Sequence, residues 1–241
     1  MELAGSVALI TGASRGLGLE IARAYAARGA KLVIAARGQE ALDVAAGELG
    51  GRTEVVALAL DVSEEAERLV AAGLDRFGRI DVLVNNASEL GPSPMPALEG
   101  YRWEDLQRVF RVNVLAPLHL TQLVLPGMKA RGAGVIINVS SDAGVQAYPG
   151  WGGYGASKAA LEHVSRTLAA ELEGTGVRVY AVDPGDINTE MHRLAEPGVD
   201  LSGLPGSEVS APAFVQLVER ETAPFARVNA QDVVAASAVG G

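Results

Sequence analysis

A glycine-rich turn near the N-terminus, set between an apolar run and a helical pattern, most constrains how this chain can fold. The apolar run covers residues 6–10, and the turn that follows is Thr11-Gly12-Ala13-Ser14-Arg15-Gly16-Leu17-Gly18. A short continuous apolar run is typical of a parallel strand buried on both faces, and the apolar spacing over residues 19–29 predicts a helix. A strand, a glycine turn and a helix in this order favour a dinucleotide-binding unit over a plain structural turn.

Each glycine of the turn has its own role in this interpretation. Gly12 permits the tight turn, Gly16 lets the backbone approach a pyrophosphate, and Gly18 allows close packing of the helix on the strand. Their Gly-x-x-x-Gly-x-Gly spacing differs from the commoner Gly-x-Gly-x-x-Gly, so the generic fingerprint is met only loosely. The start of the helix would offer free N–H groups to the pyrophosphate. The remaining candidate contacts in the turn are Ser14, Arg15 and Leu17.

The end of the second predicted strand bears on which dinucleotide binds. This strand covers residues 31–37, and in an NAD site its end normally carries an acidic residue that binds the ribose hydroxyls. Ala36 and Arg37 stand there instead. Two cations, Arg37 and Arg15 of the glycine turn, suit a ribose 2′-phosphate, which favours NADP(H) over NAD(H).

Two further predicted strands end in polar residues. They cover residues 54–62 and 80–87. Open α/β sheets bind ligands at the carboxyl ends of their strands, so Asp61 is a candidate acceptor for the adenine amino group. Asn86 is a candidate to hydrogen-bond either the protein backbone or the ribose of the cofactor. Their neighbours Val62 and Ala87 are further candidate cofactor contacts.

Length and strand–helix alternation together predict one α/β domain over residues 1–241. The net charge of −9 argues against nucleic acid and anionic membranes as partners. With no cysteine, and with three histidines that lack ligand spacing, we expect no metal site. No apolar run is long enough to span a bilayer and no basic leader is present, so we expect a soluble, cytoplasmic protein.

A serine, a tyrosine and a lysine form the candidate catalytic group. Tyr154 and Lys158 are four residues apart in a segment with helical apolar spacing, so their side chains share one helix face. An ammonium group beside the phenol would lower the phenol pKa by roughly three units, towards the value at which a general acid or base works best. Ser141 follows the apolar strand 135–139, where its hydroxyl could bind a substrate oxygen. The alternative interpretation is an ordinary surface pair on a helix.

The rest of the chain carries weaker patterns. Residues 103–128 predict a long helix, interrupted by Pro117 and ended near Pro126. Residues 190–212 are rich in glycine, proline and leucine and predict a substrate lid. The lid is apolar, which favours a hydrophobic or medium-sized carbonyl substrate. The remaining elements are strands at 177–182 and near 225–228, and a short helix near 213–220.

Taken together, these motifs resemble the short-chain dehydrogenase/reductase family over roughly residues 5 to 190. The matching positions are Thr11-Gly12-x-x-x-Gly16-x-Gly18, Asp61, Asn85-Asn86-Ala87, Asn113, Ser141, Tyr154-x-x-x-Lys158 and Pro184-Gly185-x-x-x-Thr189. The resemblance implies a single doubly wound, Rossmann-like domain with a parallel sheet of about seven strands and helices on both faces. It also implies hydride transfer between a nicotinamide and a carbonyl or alcohol.

The resemblance further implies a role for each site residue. Ser141 would hold the substrate oxygen, and Tyr154 would donate or remove its proton. Lys158 would lower the phenol pKa and bind the nicotinamide ribose, while Asn113 would hold a water that connects Lys158 to solvent. Further cofactor contacts would be Pro184, Gly185, Ile187 and Thr189. Cytoplasmic members usually form homotetramers or homodimers through the helices around 103–130 and 154–173.

Two positions near the site depart from the family pattern. Ser88 stands where glycine usually follows Asn-Asn-Ala, and Asp183 stands where alanine or asparagine is commoner. The tail also lacks the usual Gly-Gln entry to the last strand, and no aspartate precedes Gly240-Gly241.

Two other functions stay open. One is a reductase of carrier-bound 3-oxoacyl chains, which would need a basic docking patch, and the other is a non-catalytic NADP(H) sensor. The candidate patch is Arg102, Arg108, Arg111, Lys129 and Arg131.

Overall fold

One parallel sheet of seven strands organises the computed structural model, which describes residues 1–239. Gly240 and Gly241, at the end of the predicted domain, lie outside the described residues. The strands are β1 (Val7–Thr11), β2 (Lys31–Ala36), β3 (Val55–Ala59), β4 (Val82–Asn85), β5 (Gly134–Val139), β6 (Val177–Asp183) and β7 (Phe225–Asn229). Their order across the sheet is β3-β2-β1-β4-β5-β6-β7. The predicted fold class is confirmed, and the seventh strand pairs in parallel with β6.

Helices cover both faces of the sheet. They are α1 (Gly16–Ala27), α2 (Gln39–Gly50), α3 (Ala66–Phe77), α4 (Trp103–Phe110), α5 (Ala116–Arg131), α6 (Gly152–Glu171), α7 (Glu190–Ala195), α8 (Ala211–Glu219) and α9 (Ala230–Val239). Ala8 and Ile10 of β1 pack in one core with α1, α2 and α8, whereas Val7 and Leu9 pack in the other with α3, α5 and α6. Because both faces of β1 are buried, the strand has to be apolar throughout.

The strand order reverses between β1 and β4, which lie side by side although two other strands separate them in the chain. Ile10 of β1 is level with Val84 of β4. The glycine turn after β1 and the amide pair at the end of β4 therefore emerge together at the carboxyl edge of the sheet. A reversal of this kind opens a crevice, which is where open α/β sheets bind their ligands.

The observed helical region differs from the long helix predicted over residues 103–128, both in its interior and at its end. One turn of π-helix, Arg111–Leu115, joins α4 to α5 and places Pro117 in the first turn of α5. The predicted end near Pro126 is wrong: Pro126 is exposed within α5, and the helix runs on to Arg131. Burial of Val124 and Met128 on the sheet holds the helix together despite the hydrogen bond that proline cannot make.

The whole stretch Trp103–Arg131 is long and apolar enough to cross a membrane by length and composition alone. Half of its most apolar window is buried inside the molecule. Core helices of water-soluble α/β proteins have the same properties, because they cover the apolar face of a sheet.

The predicted lid, residues 190–212, contains regular structure. It begins with α7, continues through a 3₁₀ turn at Ser207–Val209, and ends in the first residues of α8. The helix expected near 213–220 thus starts at Ala211. The terminal helix α9 has no counterpart among the predicted elements.

Candidate active site

A cavity of about 1180 Å³ opens along the carboxyl edge of the sheet, where β1 and β4 end. Two of the predicted site residues, Gly18 and Asn113, lie behind its wall. All the others line it: Gly12, Ser14, Arg15, Gly16, Leu17, Arg37, Asp61, Val62, Asn86, Ala87, Ser141, Tyr154, Lys158, Pro184, Gly185, Ile187 and Thr189. The fold therefore brings together residues as far apart in the chain as Gly12 and Thr189, which are 177 positions apart.

The glycine turn is shaped by positive φ angles and by close backbone contacts. Gly12 and Gly16 have φ of +66° and +53°, which side-chain-bearing residues rarely adopt. A Cβ at Gly18 would lie 2.3 Å from the Gly12 carbonyl oxygen. Asn86 fastens the turn to β4, because its Nδ2 donates to the carbonyls of Thr11 at 2.9 Å and Gly12 at 3.1 Å. Asn86 thus hydrogen-bonds the backbone of the glycine turn, which is one of its two predicted roles.

The start of α1 suits a bound pyrophosphate. Arg15 occupies the N-cap position, and no side chain in residues 1–239 caps the helix there. The first turn of α1 carries no acidic residue that would repel an anion from its N–H groups. A helix N-terminus of this kind, reached through backbone that only glycine permits, fits a dinucleotide phosphate.

We expect Gly18→Ala to abolish tight dinucleotide binding and to lower the unfolding temperature. The added methyl group would overlap the Gly12 carbonyl and the Asn86 amide, so the turn must open. Gly47→Ala is the matched control, because a Cβ at Gly47 in α2 would meet no atom within 4 Å. The control should be more stable by up to about 1 kcal/mol. Thermal unfolding and NADPH fluorescence titration measure both effects; equal behaviour of the two variants would contradict this account of the turn.

The adenosine end of the cavity carries two arginines and one aspartate. Arg37 lies just after β2 with two thirds of its side chain exposed, and its nearest carboxylate is Glu89, at 3.5 Å. Arg15 forms an ion pair with Glu190 at the start of α7, across the cavity. Asp61 lies at the end of the β3 segment, and its Oδ1 accepts from the backbone and hydroxyl of Ser63. No acidic residue stands directly after β2, where Arg37 and Gly38 follow, and in the cofactor-free chain each of the two arginines is paired with a glutamate.

The Ser-Tyr-Lys group lies at the opposite end of the cavity. Helix α6 places Tyr154 and Lys158 on the same face, with Nζ of Lys158 5.4 Å from the centre of the phenol ring. Nζ donates to the carbonyl of Val139 at 2.8 Å, which holds the lysine against the end of β5. Ser141 follows that strand, and its hydroxyl donates to Oδ1 of Asp142 at 3.0 Å.

The predicted shift in the pKa of the phenol has the wrong sign. Burial raises the pKa of Tyr154 to about 12, although the nearby hydroxyls of Ser141 and Ser88 act in the other direction. Burial also lowers the pKa of Lys158 to about 7. The expected lowering fails because both groups are buried: the phenolate loses its hydration, and the ammonium is charged only part of the time at neutral pH. In the chain without cofactor, Tyr154 therefore keeps its proton.

Asn113 lies in the π turn and braces the loop after β4 against α6. Its Nδ2 donates to the carbonyl of Glu89 at 2.8 Å and to Oγ of Ser157 at 2.9 Å. Its Oδ1 accepts from the N–H of Glu89 at 2.7 Å and from the hydroxyl of Ser88 at 3.1 Å. The side chain is fully hydrogen-bonded within the protein, and its role in holding a water stays a prediction.

Three residues that the sequence reasoning did not single out line the wall beside Ser141. The Tyr148 hydroxyl donates to Oδ2 of Asp142 at 2.7 Å. The ring of Trp151 lies edge-on between Tyr148 and Tyr154, with ring centres about 6 Å apart. The position of Asp142 directly after Ser141 was the one signal in the sequence that could have predicted this wall.

A partly buried ion pair behind the wall extends to Asp183. Arg227 of β7 donates to both carboxylate oxygens of Glu162 at 3.0 Å, and it also donates to the carbonyl of Ser141. Burial raises the pKa of Asp183, while the N–H of Gly185 and the charge of Arg227, 3.9 Å away, favour its ionised form. The arginine thus shares its charge between Glu162 and, at the longer distance, the Asp183 carboxylate at the carboxyl edge of the sheet.

Comparison with known proteins agrees with the fold and with this set of residues. The family model for short chain dehydrogenases matches residues 6–199, which is most of the chain. The chain belongs to the short-chain dehydrogenase/reductase family. The expected resemblance is therefore confirmed, and the protein is an oxidoreductase of that family.

Relatives within the family differ in the names of their substrates and cofactors. The chain is 36% identical to a 2-(R)-hydroxypropyl-CoM dehydrogenase of Xanthobacter autotrophicus, over 87% of each protein. It is 32% identical to an L-sorbose reductase of Gluconobacter frateurii in complex with NADPH and L-sorbose, with a TM-score of 0.86, covering 95% of this chain and 97% of that one. A 3-ketoacyl-(acyl-carrier-protein) reductase of Brucella melitensis in complex with NADH is 31% identical, with a TM-score of 0.85 and coverages of 95% and 98%. A nicotinamide cofactor is common to both complexes.

Proposed function

We propose that the protein is an NADP(H)-dependent oxidoreductase that interconverts a small carbonyl compound and its secondary alcohol, with Tyr154 as the general acid and base. The observation that carries the proposal is the meeting of Ser141, Tyr154 and Lys158 at one end of a cavity that the glycine turn also lines. A bound nicotinamide would supply or accept the hydride there. The protein's own part is to bind the substrate oxygen and to move one proton.

The free chain is prepared for the reduction direction. The Tyr154 phenol keeps its proton at neutral pH, so it can donate to a carbonyl oxygen that gains charge. The Ser141 hydroxyl, which donates to Asp142 in the free chain, would turn to the substrate oxygen. Partly charged Lys158 lies on the same helix face and would stabilise the phenolate left after proton transfer.

The preference for NADP(H) rests on Arg37 and Arg15 at the adenosine end. We expect Arg37→Asp to weaken NADPH binding by about 10- to 100-fold, the size of a charge-assisted contact to phosphate, and to improve NADH binding. Arg68→Asp on α3, outside the cavity, is the charge-matched control and should change neither affinity by more than about twofold. Fluorescence titration with both cofactors measures the ratio of NADPH affinity to NADH affinity. If Arg37→Asp leaves that ratio unchanged, the 2′-phosphate is recognised elsewhere.

A small free substrate is favoured over a chain bound to an acyl carrier protein. The predicted docking cations are largely neutralised within the described part of the chain. Their acidic neighbours are Glu104 for Arg102, Asp105 and Glu89 for Arg108, Glu64 for Arg111, and Asp81 for Arg131. A patch with this many internal counter-charges would attract an acidic carrier weakly.

The same proposal includes self-association in the cytoplasm as a homodimer or homotetramer. Trp103 and Leu115, on the helical stretch expected to form the interface, are 66% and 58% exposed. The two residues lie about three helical turns apart, and large exposed apolar side chains of this kind are typical of such surfaces. Sedimentation of the purified protein distinguishes these states from a monomer.

The decisive experiment follows NADPH oxidation against a panel of aldehydes, ketones, hydroxyketones and 3-oxoacyl thioesters. Turnover of a ketone with no turnover of the carrier-bound thioester supports the proposal. Preference for the carrier-bound thioester would replace it with the acyl-carrier alternative. Tight NADPH binding without turnover of any carbonyl would favour a non-catalytic cofactor sensor.

A further inference from the structure

The ion pair between β7 and α6 lies directly behind the loop that carries Ser141. Nε of Arg227, in β7, lies 3.0 Å from each carboxylate oxygen of Glu162 in α6. Nη2 of the same guanidinium donates to the backbone carbonyl of Ser141 at 3.3 Å. The Glu162 side chain is only 6% exposed, so water screens this pair less than it screens a surface pair. One side chain from the edge strand of the sheet thus contacts both the helix of Tyr154 and the backbone of Ser141.

The carboxylate of Glu162 also holds the residue before Ser141. Its Oε1 accepts from the hydroxyl of Ser140 at 2.6 Å, and the N–H of Ser140 donates to the carbonyl of Val182 in β6 at 2.7 Å. The backbone of Ser141 is extended, with φ of −164° and ψ of 158°. In extended backbone, neighbouring side chains point to opposite sides. Fixing the Ser140 hydroxyl on Glu162 therefore directs the Ser141 hydroxyl to the other side.

Glu162 lies on the same face of α6 as the candidate catalytic groups. Tyr154, Lys158 and Glu162 follow one another at intervals of four residues, so their side chains form one row along the helix. All three residues are buried. Lys158 donates to the carbonyl of Val139, the residue just before Ser140. The row thus contacts the end of β5 and its loop at two points, once through Lys158 and once through Glu162.

The turn after Ser141 has bonds of its own, but they are local. The Ser141 carbonyl also accepts from the N–H of Gly144 at 3.1 Å, and the N–H of Ala143 donates to Oγ of Ser141 at 3.2 Å. These bonds shape the turn and do not fasten it to α6. Further along the turn, Ala143 packs against Tyr154. The guanidinium of Arg227 adds a charged link to α6 at Ser141 itself.

We propose that Arg227 is a positioning residue, which sets the Ser141 hydroxyl at its distance from Tyr154 by joining the Ser141 carbonyl to Glu162. The inference rests on the proposed function, in which Ser141 binds the substrate oxygen that Tyr154 protonates. A guanidinium suits this role because its donors form a rigid planar fork, so one side chain serves two acceptors at fixed angles. A lysine would supply the charge without the fork.

Arg227→Lys in the full-length protein tests the inference, because it keeps a counter-charge for Glu162. We expect kcat to fall about tenfold with the best ketone of the panel, since misplacing a reacting group by about 1 Å can cost about 100-fold. KM and NADPH affinity should change by no more than about twofold, because Arg227 lies 3.9 Å from Asp183, beyond hydrogen-bonding distance. Weaker NADPH binding with an unchanged kcat would overturn the inference and assign Arg227 to cofactor binding.

A combination with Ser141→Ala separates positioning from general destabilisation. Ser141→Ala alone should slow turnover about 100-fold, the usual cost of losing a donor to the reacting oxygen. If Arg227 acts through the Ser141 hydroxyl, Arg227→Lys/Ser141→Ala should be no slower than Ser141→Ala. Multiplication of the two effects, to about 1000-fold, would overturn the inference.

Arg178→Met is the matched control for this cycle. Arg178 of β6 is also partly buried, and it donates to the carbonyls of Leu217 and Val218 in α8, outside the lining of the cavity. The control should lower the unfolding temperature, keep kcat within about twofold and leave the effect of Ser141→Ala at its full size. A smaller effect of Ser141→Ala in this control as well would show that destabilisation alone produces the coupling, and would contradict the inference.

The paired replacement Arg227→Met/Glu162→Gln provides a second test. It removes both charges of the pair, so the Glu162 carboxylate is not left buried without its partner. Turnover and its dependence on Ser141 should change as in Arg227→Lys, and wild-type turnover of the paired variant would overturn the inference. If wild type turns over no carbonyl of the panel, the proposed function fails and this inference fails with it. Multiplying effects in an active wild-type background contradict this inference alone.

Discussion

Replacing Tyr154 with phenylalanine is expected to reduce turnover by about 10²- to 10⁴-fold while leaving NADPH affinity within about twofold. The phenol holds its proton at neutral pH and shares its end of the cavity with Ser141 and Lys158. Phenylalanine keeps the ring, its edge contact with Trp151 and its packing, so the loss isolates the hydroxyl. Stopped-flow NADPH oxidation with the best substrate of the panel, together with fluorescence titration, measures both quantities.

Tyr101→Phe is the matched control for this experiment. The Tyr101 hydroxyl is buried and has no hydrogen-bond partner within residues 1–239, so its removal costs no bond. It also lies outside the lining of the cavity. The control should retain wild-type turnover and at least wild-type stability. A Tyr154→Phe enzyme as active as Tyr101→Phe would remove Tyr154 from the chemistry and leave the cofactor site unexplained.

The fold could be predicted because each strand carries its own signal. A parallel strand covered on both faces is mostly apolar, so β1 and β5 are visible as apolar runs, with Thr11 and Asn138 as buried polar exceptions. The glycine turn is equally visible, since Gly12 needs a positive φ and Gly18 has no room for a Cβ. These are local constraints. Together with the strand order they bring nearly all of the predicted site residues to one edge of the sheet.

The features that sequence reasoning missed depend on contacts between distant parts of the chain. Arg227 and Glu162 are 65 residues apart, and no periodic pattern joins them. The sign of the Tyr154 pKa shift was wrong because spacing along a helix gives the distance to Lys158 but not the burial of both groups. Likewise, Ser88 could be noted as a departure, but its bond to Asn113 depends on how the π turn approaches the loop after β4.

Lys158→Met is expected to abolish turnover and also to change how stability depends on pH. In the folded chain without cofactor, burial lowers the pKa of Lys158 to about 7, against an ordinary value of roughly 10.4. Between these two values the unfolded chain binds one proton more than the folded chain. Wild-type stability should therefore rise with pH in this window, by up to about 1.4 kcal/mol per pH unit from this group. Below pH 7 the cost of holding the lysine in its buried site is fully present.

The methionine variant does not carry this cost at any pH. It loses the bond to the Val139 carbonyl, but that loss does not depend on pH. The stability of Lys158→Met relative to wild type should therefore be greatest at pH 7 and below, and should fall by roughly 2–3 kcal/mol between pH 7 and 9. Urea unfolding of both cofactor-free proteins across this range measures the difference, with Lys129→Met on the exposed end of α5 as a control that should show no such slope. A pH-independent difference for Lys158→Met would mean that the lysine remains fully charged in the folded chain. The partial charge assigned to it beside Tyr154 would then be wrong, and the ammonium would be free to act on the phenol at full strength.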